Sequence, residues 1–331
     1  MNREIVISIK TILFFFLFAL GIYVLYRLGP VLGIFSVALL IAFAMEPLIK
    51  RLMQGTVLNK KVPRGAAVLL SYSLLILVLV VIFTIWLPPF LNESQKLIKN
   101  LPKIISGINL GLGENVPLNL ADFAPEATKV SGSFFTAVKA IFNNITGLFS
   151  LLIIALYLSM DWPNLKKRFA ALFPDKAEEL ALETLEEVET SLGHWVKGQA
   201  VLMLFVGLIT FVGLILLDID YPLALGLISG FLEIVPMLGP ILSAVIAIVI
   251  ALADSPIKAL GVLFLFILIQ QFENNILVPK VMQKVSGFSP LIILFALLVG
   301  SEFFGLAGAV FAVPMAMIIG IIFKKYSRFI R

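Results

Sequence analysis

Four glutamates lie inside or at the ends of long apolar runs: Glu46, Glu233, Glu273 and Glu302. A charged side chain at the centre of a bilayer costs ~2.5–3.5 kcal/mol on insertion scales, so each needs a reason to be there. Glu233 sits in the stretch LEIVPMLGP, just ahead of Pro236 and Gly239. Glu273 sits in IQQFENNILVP, where Gln270, Glu273 and Asn274 fall at i, i+3 and i+4 and so share a helix face. With Gln271 and Asn275 beside them, these side chains are polar enough to line a solute site. A carboxylate held in low dielectric exchanges protons near neutral pH, which makes Glu233 and Glu273 candidate proton-coupling groups. Helix ends opened by Pro236, Pro240, Pro279 and Pro314 leave free N–H and C=O groups that bind ions directly. Glu302 is expected at a hairpin tip. Glu46, followed by Pro47 near a helix end, reads as structural.

The elements that hold these residues follow from composition. Of 331 residues, 60% are hydrophobic and 14% charged, and the mean hydropathy is +1.08. Soluble domains carry about 45–50% apolar and about 25% charged residues, so the chain reads as an all-α, polytopic membrane protein. Helices are expected because lipid cannot satisfy backbone groups, and no alternating ten-residue pattern points to a barrel. No cysteine is present and His194 is the single histidine. Disulfides, thiol catalysis and Cys- or His-rich metal sites are thereby excluded. The sequence also lacks an HExxH motif, a P-loop and a pair of aspartates within one apolar run, so no enzyme reading and no cofactor are supported.

Charge-free stretches predict spans near 9–28, 30–49, 65–90, 142–160, 199–217 and 256–278, about eight spans in all when the two interrupted segments are counted with them. Gly29-Pro30 predicts a tight turn between the first two. With the N-terminus inside, the inner segments hold 18 of the 25 basic residues, which predicts that both termini are cytoplasmic. Residues 221–254 are broken by Gly230, Glu233, Pro236, Gly239 and Pro240, leaving halves too short to span. They predict a re-entrant hairpin. Residues 288–323, interrupted by Gly300, Glu302, Gly305, Gly308 and Pro314, predict a second. Followed along the chain, the first hairpin enters from outside and the second from inside, the pattern of an inverted repeat. Pairs of short, Pro-kinked spans are the alternative.

Outside these runs, residues 92–139 predict an exterior segment of short helices and turns. Leu97, Ile98, Leu101, Ile104, Ile105 and Ile108 recur at the spacing of an interfacial amphipathic helix. Residues 131–145 lead into the fourth span. Trp162-Pro163 with Lys166, Lys167 and Arg168 suits a membrane-surface anchor. From Pro174, Ala181, Leu185, Val188, Leu192 and Trp195 line one face of a helix otherwise crowded with glutamates.

Three segments carry a family resemblance: SGFLEIVPMLGPILSAV (229–245), IQQFENNILVPKVMQK (269–284) and SGFSPLIILFALLVGSEFFGLAGAVFAVPMA (286–316). In that order they closely resemble the AI-2E family of bacterial transporters, with further agreement at Gly29-Pro30, Glu46-Pro47 and Val62-Pro63-Arg64. The matching residues include Glu233, Pro236, Gly239, Gln271, Glu273, Pro279, Pro290, Gly305 and Pro314. The resemblance implies a multi-pass protein of the bacterial inner membrane and a homo-oligomer, with a pentamer as the arrangement it points to. It also implies a secondary transporter that exports a small polar solute like autoinducer-2, a sugar-like furanone. Proton or sodium coupling is expected, and no nucleic-acid partner. A Na⁺(Li⁺)/H⁺ antiporter is the second reading, and a non-transporting membrane scaffold or sensor a third, of another class. On the first reading, residues 1–160 form a scaffold for oligomer contacts. Residues 161–198 form a cytoplasmic connector, and residues 199–331 form the transport unit with its two hairpins.

Overall fold

The computed structural model describes residues 9–57, 60–107, 145–282 and 290–329. Among these residues the helices are α1 (Ile9–Gln54), α2 (Arg64–Gly107), α3 (Ile145–Ala170), α4 (Asp175–Leu216), α5 (Pro222–Leu232), α6 (Leu238–Asp254), α7 (Pro256–Phe272), α8 (Val278–Val281) and α9 (Pro290–Phe329). A π-helical turn, Glu273–Leu277, joins α7 to α8. A short ribbon, β1 (Thr56–Val57) and β2 (Lys60–Lys61), pairs Thr56 with Lys61. Among the described residues six helical stretches are long and apolar enough to cross a bilayer, and α5 and α6 are shorter apolar helices. The chain is an all-α polytopic membrane protein.

Two expectations fail at prolines. There is no turn at Gly29-Pro30, because α1 runs through both residues for 46 residues. Nor do residues 92–107 form short pieces. α2 passes through Pro88, Pro89 and Pro102 to Gly107. A proline removes one helical hydrogen bond, but in an apolar setting the remaining backbone groups have no better partner than the helix itself. Residues 108–139, and the stretch 131–144 that leads into α3, lie outside the described residues.

The bundle has two ends. At the proximal end, where α4 begins, α1, α2 and α3 pack through Ala38, Ala42, Ile49, Ala67, Val68 and Ala155. A polar network fastens them. Both oxygens of buried Glu46 accept from Arg64, at 2.8 Å from Nη1 and 2.7 Å from Nη2. Arg64 also donates to the Ser159 carbonyl, and the Tyr72 hydroxyl bonds the Ser159 hydroxyl at 2.8 Å. Nearby, buried Glu189 of α4 accepts from Lys50 at 2.9 Å and from Lys166 and Trp162 Nε1 at 2.7 Å each. Trp162 and Lys166 are therefore not a membrane anchor. They face inward because a buried carboxylate needs those donors.

At the distal end, α4 finishes at Leu216 and α5 enters through a loop with Asp218 and Tyr221 at positive φ (51° and 59°). Lys258 ties this end together, bonding Asp218 at 3.0 Å and Asp254 at 2.6 Å. The far end of α2 docks here rather than lying free on a membrane surface. Phe90 and Leu97 join the core of α4–α7, the Glu93 carboxylate accepts from Ala224 N at 2.9 Å, and Asn100 donates to the Tyr221 hydroxyl at 2.8 Å. The carboxylate thus satisfies a free donor at the start of α5.

α5 and α6 form the first hairpin. Eleven residues make α5 only ~16 Å long against a hydrocarbon core of ~30 Å, so it cannot span. Small residues let it lie directly on α4: a side chain at Gly207 would meet Gly226 O at 3.2 Å and Gly230 Cα at 3.3 Å. The second hairpin lies within α9. At Gly305 (φ 57°, ψ −142°) the helix breaks into arms 290–304 and 306–329, in backbone geometry that needs glycine. Gly300 and Gly308 touch backbone to backbone across the bend. In a straight helix they would stand ~12 Å apart.

The hairpins point in opposite directions. The first begins and ends at the distal end. In the second, Lys325 pairs with Glu183 near the start of α4 at 3.0 Å, and Val313 and Met317 pack with Leu192 and Trp195. Farther up, Leu297, Ala309 and Ala312 surround Val235 at the tip of the first hairpin. The two doubled-back elements meet inside the bundle.

Candidate functional site at the hairpin junction

The tip of the first hairpin is a strained turn. The Leu238 N–H donates to the Pro236 carbonyl at 2.9 Å, enclosing Met237 at φ 68°, ψ −45°. This is the rare γ-turn of positive φ. Gly239 then passes so close to the chain before it that an added methyl would lie 2.8 Å from Glu233 N, and closer still to the Leu232 carbonyl. Neither is a movable side-chain end. Gly239→Ala is therefore expected to cost ~1–3 kcal/mol, read as a lower melting temperature of the detergent-solubilised protein. An unchanged melting temperature would mean that the tip is looser than this packing.

This turn points Glu233 into the bundle, where it is 1% exposed. α7 and the π-turn bring Glu273 to it. The cause of that turn is local: Pro279 has no N–H to give and crowds the carbonyl one helical turn earlier. The chain widens, and Val278 N bonds the Glu273 carbonyl, five residues back. Glu273 is buried, and its carboxyl neighbours that of Glu233 closely enough for the two to interact. Among the described residues neither carboxylate has an ion pair, and Glu233 Oε2 has no hydrogen-bond partner.

α4 supplies a third group, Gln199, which is 3% exposed. Its amide nitrogen donates to the Glu233 carbonyl, and its buried amide oxygen has no partner among the described residues. Sequence reasoning missed it. The one available signal is a glutamine placed at the start of an apolar run.

The remaining predicted residues divide. Gln270 is half-buried and bridges Glu273 Oε2 at 3.4 Å to Asn274 Oδ1 at 3.3 Å. Asn274 and Gln271 are exposed, and Gln271 accepts from Asn275. Pro236 and Gly239 build the tip. Glu302 lies apart, exposed at the bend of the second hairpin beside Phe303 and Phe304. The structure therefore brings together Glu233, Gly239, Glu273 and Gln270, with Gln271 and Asn274 on the outer side.

The chain matches the profile described as AI-2E family transporter over residues 12–328. It belongs to the AI-2E family. Relatives have a similar extent. A putative transport protein YueF of Bacillus subtilis (strain 168) is 26% identical over 315 residues, covering 89% of this chain and 84% of its own. The AI-2 transport protein TqsA of Escherichia coli (strain K12) is 22% identical over 302 residues, 88% and 85% of the two chains. The putative transport protein YrrI of B. subtilis is 34% identical over a shorter stretch of 173 residues, 52% and 49%. As a member of the AI-2E family, the chain is a multi-pass membrane transport protein.

Proposed function

We propose that this AI-2E family protein is a secondary transporter that exports a small polar solute of the autoinducer-2 kind across the bacterial inner membrane. Export is coupled to protons through Glu233 and Glu273. One observation carries this reading: two neighbouring carboxyls lie buried where the opposed hairpins meet, without an ion pair among the described residues. Two adjacent carboxylates in an apolar interior repel each other unless a proton or cation is held between them. The substrate class comes from the similarity to TqsA and from the exposed amides of Gln271, Asn274 and Asn275. Such groups favour a water-filled approach over lipid.

In this scheme α1–α3 are the static scaffold and the place of contact between copies in a homo-oligomer. The helices from residue 199 onward carry the solute. The basic proximal end faces the cytoplasm together with the end of α9, in keeping with the distribution of lysine and arginine; the expected placing of both termini there relies on a turn at Gly29-Pro30, and the unbroken α1 directs its first residues away from that end. Cation/proton antiport is the second reading, favoured by the fact that the unpartnered buried atoms of the site, Gln199 Oε1 and Glu233 Oε2, are all acceptors.

The test is flux of labelled autoinducer-2 into proteoliposomes of the purified protein under an imposed pH gradient. Saturable flux that follows the gradient is expected. Flux no greater than that of empty liposomes would overturn the export reading and leave antiport in its place.

A further inference from the structure

We infer that α2 hinges in the turn that ends at Pro88-Pro89, and that the arm from there to Gly107 travels with the first hairpin as a cap on its mouth. This rests on the reading of a static scaffold and a moving unit, and it places the boundary between them inside α2.

α2 is fastened at two places. At its start, Arg64 bonds Glu46 of α1 and the Ser159 carbonyl of α3, and Ala67, Val68 and Tyr72 are buried among the same helices. At its far end, Phe90 and Leu97 are buried in the core of α4–α7, with Leu91, Ile98 and Ile104 packed against it. Two polar contacts seal the mouth of the first hairpin. The Glu93 carboxylate accepts from Ala224 N, in the first turn of α5, at 2.9 Å, and Asn100 donates to the hydroxyl of Tyr221, the residue just before α5, at 2.8 Å. Between the two anchorages, residues 73–89 contribute no buried side chain.

The sequence puts a joint in that gap. In a regular helix the N–H groups of residues 88 and 89 would bond the carbonyls of Thr84 and Ile85. Two prolines remove both rungs and crowd the chain one turn earlier, and sharp helix bends centre on such places. The Thr84 hydroxyl turns back on the Val80 carbonyl at 2.7 Å, which loosens the same turn. Pro88 stands ~36 Å along α2 from Arg64, near the far edge of a ~30 Å hydrocarbon core, so headgroup water can bond the released carbonyls. Those carbonyls come just before Trp86 and Leu87, which already meet the distal bundle, Trp86 through Phe211 with ring centroids 6.2 Å apart. Pro102 is not a second joint, because Leu101 is buried beside it and Ile104 packs on the distal core. Lifting the arm would bare Phe90 and Leu97 and uncap α5, whereas bending the turn breaks no buried contact. Movement of the hairpin against the scaffold therefore bends α2 and leaves the cap seated.

The test uses the full-length protein. Pro88→Ala with Pro89→Ala restores both rungs, and it is expected to lose most of the gradient-driven flux while its melting temperature holds or rises. Pro88→Gly with Pro89→Gly keeps the bending freedom and is expected to keep the flux. The chain has no cysteine, so a reversible bis-methanethiosulfonate between Asn100→Cys and Tyr221→Cys ties the arm to the hairpin alone, and flux is expected to survive it. Full flux in the alanine variant overturns the inference, as does a folded glycine variant as inactive as the alanine one. Flux lost on cross-linking and regained on reduction overturns it too, since the arm would then have to lift. The joint is also read without solute. Spin labels at Leu77→Cys and Lys96→Cys, both exposed, are expected to give a broad distance distribution that narrows in the alanine variant. Equally narrow distributions in both would sink the hinge and leave the export reading standing. A distribution that narrows as expected, in a protein without solute flux, would do the reverse.

Discussion

Glu233→Gln is expected to abolish gradient-driven flux while leaving the protein folded. Glutamine matches glutamate in size and keeps one carbonyl oxygen, but it neither takes up nor releases a proton at any relevant pH. The substitution thus removes half of the buried pair without opening a cavity. Stability is expected to hold or to rise, because an uncompensated buried charge is costly and the amide is neutral. Glu273→Gln is expected to act alike, since each carboxyl interacts with the other. Flux in proteoliposomes with and without a pH gradient separates coupling from passage. Downhill movement of solute that survives in the variant would place Glu233 in coupling alone. Full gradient-driven flux in both variants would remove the pair from the mechanism.

Arg64→Ala is expected to be the most damaging substitution away from the hairpins. Its guanidinium spans α1, α2 and α3 by bonding both oxygens of Glu46 and the Ser159 carbonyl. Glu46 is 4% exposed, and its other basic neighbour, Lys50, stands 4.0 Å away and is engaged with Glu189. Removing one partner of a buried pair typically costs ~3–5 kcal/mol, because the other charge is left unpaired. Arg64→Lys is expected to recover only part of the loss, since an ammonium cannot reproduce the planar fork. The double substitution Glu46→Leu with Arg64→Met is expected to be milder than Arg64→Ala alone. Melting temperatures in detergent decide this. An Arg64→Ala protein as stable as wild type would mean that the network does not hold the scaffold.

Much of this architecture is legible in the sequence because lipid imposes simple rules. Charge-free runs of about 20 residues announce spans, and interrupted runs such as LEIVPMLGP and LVGSEFFGLAG announce doubled-back helices. Glu233 and Glu273 stand out for the same reason: a carboxylate in an apolar run is too costly to be incidental. The misreadings share a cause. Gly29-Pro30 and the prolines of α2 look like breaks by the habits of soluble helices, yet α1 and α2 continue through them. Trp162 and Lys166 look like surface residues until Glu189, more than twenty positions away, turns them inward. Gln199 is invisible along the chain because its meaning lies in a single bond to a carbonyl 34 residues later. Long-range partners of this kind leave no local periodicity to read.

The meeting of the hairpin tips also has a consequence for synthesis. Val235 is covered by Ala309 and Ala312, which leave the ribosome more than seventy residues after it. At ~5–20 residues per second, that interval is roughly 4–15 s. For those seconds the first hairpin is complete in sequence but lacks the surface that closes over its tip. α5 is too short to rest in lipid as a span of its own, and the stretch that ends in Glu233 is a poor substrate for stable insertion. The first hairpin must wait, held by α4 through Gly207, Gly226 and Gly230, until Leu297, Ala309 and Ala312 arrive. Closure over the tip of the first hairpin thus follows the emergence of Ala309 and Ala312, and a ribosome that stops short of residue 309 leaves Val235 without that cover.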